Sequence, residues 1–225
     1  MRGFAGFGTA LTIVPSLSLL FGPQVAVPVM VVVDSVATLP IVVRSFSTCR
    51  WRDVLPLTLS YAAVAPIGVI ILVIADPSVL TAVMGGVVLL ATAVLATGWQ
   101  YRGRAQLPVT LATGATSGLL GGSVGISGPP VIIFWLAAQN SAQQVRANLF
   151  AYFGCITVVS FATLGTAGLF TGDVLVLSAI LTPAFAVGLF VGQRLFRLAS
   201  ERVFRAIALA IVGTIGCVAF VGAIA

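Results

Sequence analysis

Residues 117–134, SGLLGGSVGISGPPVIIF, combine five glycines, three serines and two adjacent prolines within a long apolar region. Glycine-rich backbone can approach a ligand closely, and a helix that begins near Pro129 would direct its positive dipole end toward that ligand. We therefore expect this segment to line a small cavity that prefers an anion. The residues expected to contact the anion are Gly121, Gly122, Ser123, Gly125 and Ser127.

The composition of the chain is that of an integral membrane protein. Of its 225 residues, 60% are hydrophobic and 7% are charged, whereas a typical soluble domain has about 25% charged residues. All eleven basic residues are arginines between apolar runs, which indicates orientation in a membrane rather than nucleic-acid binding. We expect a multi-pass protein of the cytoplasmic (inner) membrane, in contact with lipid and without a cofactor or metal site.

Eight apolar segments follow one another along the chain. The fifth, residues 106–138, is too long for one span of about 20 residues. Its glycines and prolines divide it into two arms of about half a span each, which predicts a hairpin that enters and leaves by one face of the membrane. The eight segments are residues 4–21, 24–43, 54–75, 79–98, 106–138, 147–168, 173–193 and 203–224.

The arginines between these segments test the hairpin independently. They form clusters between segments two and three, four and five, and seven and eight. If all eight segments crossed the membrane, the last cluster would lie on the face opposite to the other two. A re-entrant fifth segment places all three clusters on one face, as the positive-inside tendency favours. The clusters are Arg44, Arg50 and Arg52; Arg102 and Arg104; and Arg194, Arg197, Arg202 and Arg205.

Internal similarity predicts a duplication of about 110 residues. RGFAGFGTALTIVP at residues 2–15 lies 115 positions (117 − 2) before SGLLGGSVGISGPP at residues 117–130. Farther along, WRDVLPL at residues 51–57 matches TGDVLVL at residues 171–177. A second ligand-binding segment is therefore expected in the first half, with contacts from Gly6, Gly8 and Thr9.

The arginine assignment makes the two halves inverted, because segment three leaves the arginine-rich face and segment seven arrives there. Inverted repeats with interrupted helices at matching positions are typical of secondary transporters and mark their binding sites. We predict an all-α membrane protein of two inverted repeats, residues 1–100 and 101–225, each a broken or re-entrant hairpin followed by three transmembrane helices. The first hairpin has no counterpart of about residues 103–115, so the natural start is expected upstream of Met1, or the chain is truncated.

Asp34 is an acidic residue within the apolar run VMVVVDSVATLP. A carboxylate in such a segment is costly and is a functional hypothesis by default. Burial would raise its proton affinity, so that it could carry a proton during transport. Two structural alternatives stand beside this: an ion pair with Arg44 or Arg146, or a position close enough to the interface to be hydrated.

Arg146 and Asn148 lie at the start of segment six, just after the hairpin. The guanidinium fork of Arg146 matches an oxyanion, and the amide of Asn148 could donate to one. An interfacial arginine that extends its head group to water is an equally good interpretation of Arg146. Asn148 is more readily functional, because an amide in an apolar segment requires a partner.

The two glycine-rich motifs, GFGTALTIVP and GLLGGSVGISGPP, open two hydrophobic halves and resemble the TauE/SafE family of sulfite and organosulfonate transporters. QQVRANLF at residues 143–150 is also similar to the family's segment after the hairpin. The resemblance covers nearly the whole chain apart from the first arm. It implies export or uptake of small sulfur-containing anions, coupled to an ion gradient, with the proton as the candidate ion. The first motif departs from the family, since Thr9 and Ala10 replace a denser glycine run, and Asp34 stands where Asn148 stands in the second half.

Three other functions compete with a coupled transporter. Gly121-Gly122-Ser123-Val124-Gly125 matches the G-x-S-x-G pattern of a nucleophilic serine, but the chain has no histidine and no lysine to act as its base, so we expect no enzyme. An anion channel would share a glycine-lined constriction but would not need alternating access. A membrane scaffold would not need irregular backbone at bilayer depth.

The first testable prediction concerns Gly125. If the two glycine-rich segments meet near the bilayer midplane, Gly125→Leu fills the binding cavity, and we expect it to abolish transport while membrane insertion is retained. Anion flux into proteoliposomes, compared with the amount of inserted protein, measures both. Normal flux in this variant would contradict the assignment of the segment.

Overall fold

The computed structural model describes residues 9–97, 106–137, 142–198 and 201–223, and the regular structure in these ranges is helical. The eight predicted apolar segments correspond to nine helices there, because the fifth segment contains two. The helices are α1 (Thr9–Phe21), α2 (Pro23–Phe46), α3 (Trp51–Ile74), α4 (Pro77–Thr97), α5 (Leu107–Val124), α6 (Gly128–Ala137), α7 (Ala142–Thr166), α8 (Gly172–Leu198) and α9 (Glu201–Gly222).

Four of the described helices are long and apolar enough to cross a membrane: α2, α3, most of α4 and nearly all of α7. The whole of α1 and parts of α8 and α9 are shorter apolar stretches. Large apolar side chains point outward along the bundle; Leu20 and Ile74, for example, are each 75% exposed. Lipid rather than water suits such a surface.

The fifth segment breaks where its glycines and prolines predicted. After Val124, Gly125 takes a left-handed conformation (φ 69°, ψ 13°), which glycine adopts without the steric penalty of a Cβ atom. The N–H of Ile126 then donates to the carbonyl of Leu120 at 3.2 Å, and α6 begins at Gly128. The break is therefore short, and Ile126 within it remains hydrogen-bonded to the preceding helix.

The two arms are unequal, and the prediction of two arms of half a span is wrong for the first. Helix α5 has 18 residues, or about 27 Å at 1.5 Å per residue, whereas α6 has 10 residues, or about 15 Å. Residues 118–124 were expected to be irregular but are helical. Their glycines serve contact between helices rather than interruption of the helix.

Close packing against α3 explains the long first arm. Gly114, Gly118 and Gly122 form a stripe on one side of α5, in the small-xxx-small pattern of membrane helix contacts. A Cβ atom added to Gly118 would lie 2.6 Å from the carbonyl oxygen of Tyr61. The backbones are thus in direct contact, and a larger residue would separate the helices. Along the stripe, the three glycines face Leu57, Tyr61 and Ala65 of α3 in that order.

That order makes α5 parallel to α3, so both begin at the same end of the bundle. Helix α6 turns back toward this end, because its last residue, Ala137, is only five positions before the start of α7 at Ala142. The next helix also starts there, since Asn148 of α7 is bonded to the backbone of Arg50. Both arms of the broken segment therefore reach the end of the molecule at which α2 connects to α3, as a re-entrant hairpin requires.

The glycine stripe generates a stability prediction. Gly118→Ala forces α5 away from the α3 backbone, and we expect it to lower the stability of the folded protein by about 1–3 kcal/mol, the usual cost of overpacking. Thermal unfolding in detergent measures this.

Gly188→Ala on α8 is the matched control, because a Cβ atom there meets nothing within 4 Å. We expect it to unfold at or slightly above the wild-type temperature, since alanine favours helix over glycine. Equal unfolding temperatures for the two variants would contradict the packing argument.

Candidate functional site

A cavity of about 90 Å³ lies where the break meets the start of α1. One side is formed by Thr9–Leu11, the first described residues of the chain, and the other by Gly125–Pro129. Two helices each contribute residues at positions i, i+3, i+4 and i+7 of one face, and Tyr61 on α3 and Gly121 on α5 also line the cavity. These stripes are Val27, Met30, Val31 and Asp34 on α2, and Phe153, Ile156, Thr157 and Ser160 on α7.

The size of the cavity limits what it can hold. Pockets for drug-sized ligands have volumes of roughly 300–1,000 Å³, and one water molecule occupies about 30 Å³ of the liquid. A volume of about 90 Å³ therefore suits a few waters or one small polyatomic ion. This volume lies below the usual range for drug-sized ligands.

Hydroxyl groups from two distant helices meet at its wall. The phenol of Tyr61 on α3 and the hydroxyl of Ser160 on α7 are 3.0 Å apart, and both residues line the cavity. A Cβ atom on Gly121 would lie 2.6 Å from the Tyr61 hydroxyl, so this glycine leaves the space that the phenol fills. Of the two hydroxyl hydrogens in the pair, one is used between the partners and the other can be donated elsewhere.

The start of α6 also lies at the cavity, as the sequence predicted for a helix beginning near Pro129. Gly128 and Pro129 both line the space. The first N–H groups of a helix have no acceptor within it and carry partial positive charge. Pro129 and Pro130 have no N–H. The N–H of Gly128 is therefore the only backbone donor among the first three residues of this helix.

Asp34, the residue expected to carry a proton, belongs to the α2 stripe and lines the same cavity. It is half-buried. A carboxylate and a bound anion repel each other. At 4 Å and an effective dielectric constant of 20, the repulsion is about 4 kcal/mol. Protonation of the carboxyl would remove this term, so the binding of an anion in this cavity would favour the protonated form of Asp34.

Comparison with known protein families decides the family. The sequence model of the family described as Sulfite exporter TauE/SafE matches residues 1–219. The chain belongs to the TauE/SafE family. Members of this family are membrane transporters rather than enzymes, and membership implies transport of sulfite or a related sulfur-containing anion. No curated protein and no solved structure matches the chain.

The structure divides the TauE/SafE motif of the second half into two faces of one segment. Gly121, Gly125 and Ser127, which the sequence analysis expects to contact the anion, line the cavity. Gly122 and Ser123 do not: a Cβ atom on Gly122 would meet the α3 backbone, and the buried Ser123 hydroxyl donates to the Leu119 carbonyl at 2.6 Å. They are helical residues on the side of α5 that faces α3, which also removes Ser123 from consideration as a nucleophile.

In the first motif, Thr9 lines the cavity, whereas Gly6 and Gly8 lie outside the described residues. Gly125, at the centre of the second motif, has its own constraint: a Cβ atom there would lie 3.2 Å from the side chain of Val27. Because its φ of 69° is also unfavourable for a larger residue, Gly125→Leu both fills the cavity and strains the break.

Arg146 and Asn148 are not at the cavity. Arg146 is exposed near the start of α7, and its guanidinium carbon lies 5.6 Å from the centre of the Phe150 ring. Asn148 is fully buried, and its Oδ1 accepts hydrogen bonds from the N–H of Arg50 and from Nε2 of Gln144, both at 2.9 Å. The amide therefore joins α7 to the start of α3, and its environment differs from that of Asp34, with which the repeats aligned it.

The polar side chains of the cavity that the sequence did not indicate are Tyr61, Thr157 and Ser160. A tyrosine within an apolar helix and hydroxyls on another have no motif of their own. Tyr61 and Ser160 are distinguished only by the hydrogen bond between their hydroxyl groups, which joins positions 99 residues apart.

Asn148→Ala tests the structural role. We expect a loss of stability of about 1–3 kcal/mol, because the donors on Arg50 and Gln144 lose their shared acceptor, and an unchanged KM for transport by the protein that folds. Thermal unfolding and initial rates of anion flux measure the two effects. A many-fold rise in KM with unchanged stability would instead make Asn148 a substrate contact.

Proposed function

We propose that this TauE/SafE protein is a secondary active transporter of small sulfur-containing anions, sulfite or an organosulfonate, in the cytoplasmic membrane. The anion binds in the cavity between the two glycine-rich segments. The observation that carries the proposal is the composition of this one cavity. Its wall contains residues from both motifs, Thr9 from the first and Gly125 and Ser127 from the second.

The proposed architecture is a pair of inverted repeats, residues 1–100 and 101–225. In this scheme α2, α3 and α4 are the counterparts of α7, α8 and α9. The packing supports this scheme. If the two halves are exchanged, the contact between α2 and α8 corresponds to the contact between α7 and α3, and both contacts are present. The contacts between α2 and α7 and between α4 and α9 are also present. Each of these joins two counterpart helices, so it is unchanged when the halves are exchanged. Such a relation permits one half to rock against the other around a central site.

Neutral donors supply the attraction for the anion. The Tyr61–Ser160 hydroxyl pair and the start of α6 are at the wall, and amide and hydroxyl donors to an oxyanion are worth more in an apolar setting than in water. Moderate attraction suits a transporter, because the ion must also leave the site. The small volume favours sulfite or a short sulfonate over larger anions.

Asp34 couples transport to a proton in this proposal. Its carboxyl lies at the anion's cavity, so the anion binds more tightly when the carboxyl is protonated. Anion and proton would then cross together, and a pH gradient would drive accumulation of the anion. Because thermodynamic linkage is reciprocal, the bound anion also raises the affinity of Asp34 for the proton.

The experiment is flux of sulfite and of methanesulfonate into proteoliposomes, with and without an imposed pH gradient. We expect saturable flux that the gradient stimulates. Linear flux that does not respond to the gradient would replace the transporter by an anion channel. No flux of either anion would contradict the proposed substrate class.

Asp34→Asn separates coupling from binding in the same assay. We expect saturable flux that no longer responds to the pH gradient, because the amide cannot carry a proton. Asp173→Asn is the matched control, since Asp173 is an exposed residue in the first turn of α8 and is absent from the cavity wall. Flux that remains gradient-driven in Asp34→Asn would exclude Asp34 as the coupling residue.

A further inference from the structure

Two buried hydroxyls are joined to the backbone of the break. Ser117 Oγ on α5 donates to the carbonyl oxygen of Ser127 at 2.6 Å. The hydroxyl of Tyr152 on α7 lies 2.7 Å from the same Ser117 Oγ. A serine hydroxyl has a single hydrogen, and Ser117 gives it to Ser127, so Tyr152 must donate to Ser117. We refer to this chain as the Tyr152–Ser117 strut.

The strut lies outside the cavity that it borders. Ser117 and Tyr152 are both fully buried, and neither lines the cavity, whereas Ser127 and Gly128 do. The carbonyl of Ser127 is therefore directed away from the cavity, toward α5. In a planar trans peptide, C=O and N–H point in opposite directions. The N–H of Gly128 consequently points away from Ser117.

This orientation decides the sign of the electrostatic field at the site. A carbonyl oxygen repels an anion, and an N–H attracts it. Ser127 directly precedes α6, at the position whose carbonyl can accept the first hydrogen bond of a helix, and the bond from Ser117 is an additional constraint on the direction of this carbonyl. A rotation of the Ser127–Gly128 peptide would exchange a donor for an acceptor at the cavity wall.

We propose that Ser117 and Tyr152 are positioning residues for the transported anion, which hold the Ser127 carbonyl out of the cavity and direct the Gly128 N–H into it. The inference rests on the proposed function, in which the anion occupies this cavity. Neither residue contacts the anion; both act through the Ser127–Gly128 peptide.

The ring of Tyr152 is well placed for this role. It makes edge-to-face contacts with Trp135 on α6, at 5.8 Å between ring centres, and with Tyr61 on α3, at 6.2 Å. Such contacts constrain the orientation of a ring. Contacts with α3 and α6 thus hold the Tyr152 hydroxyl that bonds Ser117. A displacement of α3, α6 or α7 would therefore change the direction of the peptide at the site.

The test compares KM for sulfite and methanesulfonate in proteoliposomes, together with protection by sulfite against thermal unfolding. Ser117→Ala removes the donor to the Ser127 carbonyl. We expect KM to rise by roughly tenfold, which corresponds to about 1.4 kcal/mol of binding, and sulfite protection to fall in parallel. Tyr152→Phe retains the ring and its packing and removes only the hydroxyl, so we expect a smaller rise in KM.

The double variant gives the sharpest readout. If Tyr152 acts only through Ser117, Tyr152→Phe raises KM no further in the Ser117→Ala background, and the two effects are not additive. Ser178→Ala is the matched control: Ser178 is also buried and donates to a backbone carbonyl, that of Val174 at 2.6 Å, but lies on α8 away from the cavity. We expect its KM to equal that of the wild type.

Two outcomes overturn the inference in distinguishable ways. In the first outcome, Ser117→Ala and Tyr152→Phe lower the unfolding temperature but leave KM unchanged, which is the KM result expected for Ser178→Ala. The strut then only satisfies buried polar groups, and the proposed function stands. If the wild-type protein transports neither anion, the proposed function fails and the positioning role fails with it. Should Ser117→Ala not fold, an unchanged KM in Tyr152→Phe overturns the role by itself.

Discussion

The rest of the structure depends on the interruption of helix between Val124 and Gly128. Inside an apolar bundle, backbone groups without partners cost several kcal/mol each. The protein satisfies those at the break individually: Ile126 donates back to Leu120, and the Ser127 carbonyl accepts from Ser117. Around this core of hydrogen bonds, α3, α6 and α7 pack closely enough to exclude lipid. What remains unfilled is a cavity about 90 Å³ in volume.

Glycine has two different roles in this segment, and they fall on two faces of one helix. Gly118 and Gly122 bring the backbones of α3 and α5 into contact, whereas Gly121 leaves space for the phenol of Tyr61. The two roles depend on each other, because the contact with α3 also carries Tyr61 to the cavity. Only Gly125 is required for its backbone conformation. Glycine content is therefore a measure of close approach here more than of flexibility.

The chemistry of the cavity is that of dipoles and one carboxylate. The described wall contains hydroxyls, the start of a helix and Asp34, and the arginine predicted as an anion contact, Arg146, lies elsewhere. Dipolar donors attract an anion less strongly than a fixed positive charge, and the carboxylate opposes it unless protonated. Such a site would bind and release its ligand according to protonation and to the orientation of a single peptide.

Much of the fold follows from the sequence, because its causes are local. Apolar composition requires a membrane, and the eight apolar segments are recovered within a few residues of their ends wherever the structure describes them. The break appears between Gly125 and Pro129 because a left-handed glycine ends one helix and proline is favoured in the first turn of the next. The motifs that resemble TauE/SafE also belong to the sequence, and the family match over residues 1–219 agrees with them.

Only the tertiary structure decided which of these residues meet. Asn148 appeared to be a ligand contact, but it bonds Arg50 from 98 positions away. Tyr61 and Ser160 belong to no motif in the sequence, but their hydroxyl groups lie 3.0 Å apart at the wall of the cavity. The pairing of distant helices sets these contacts, and it results from the summed packing of whole surfaces such as the α3–α5 stripe. A single amide or hydroxyl has no local pattern that reveals its partner, so sequence located the segment that forms the site, and packing selected the side chains that complete it.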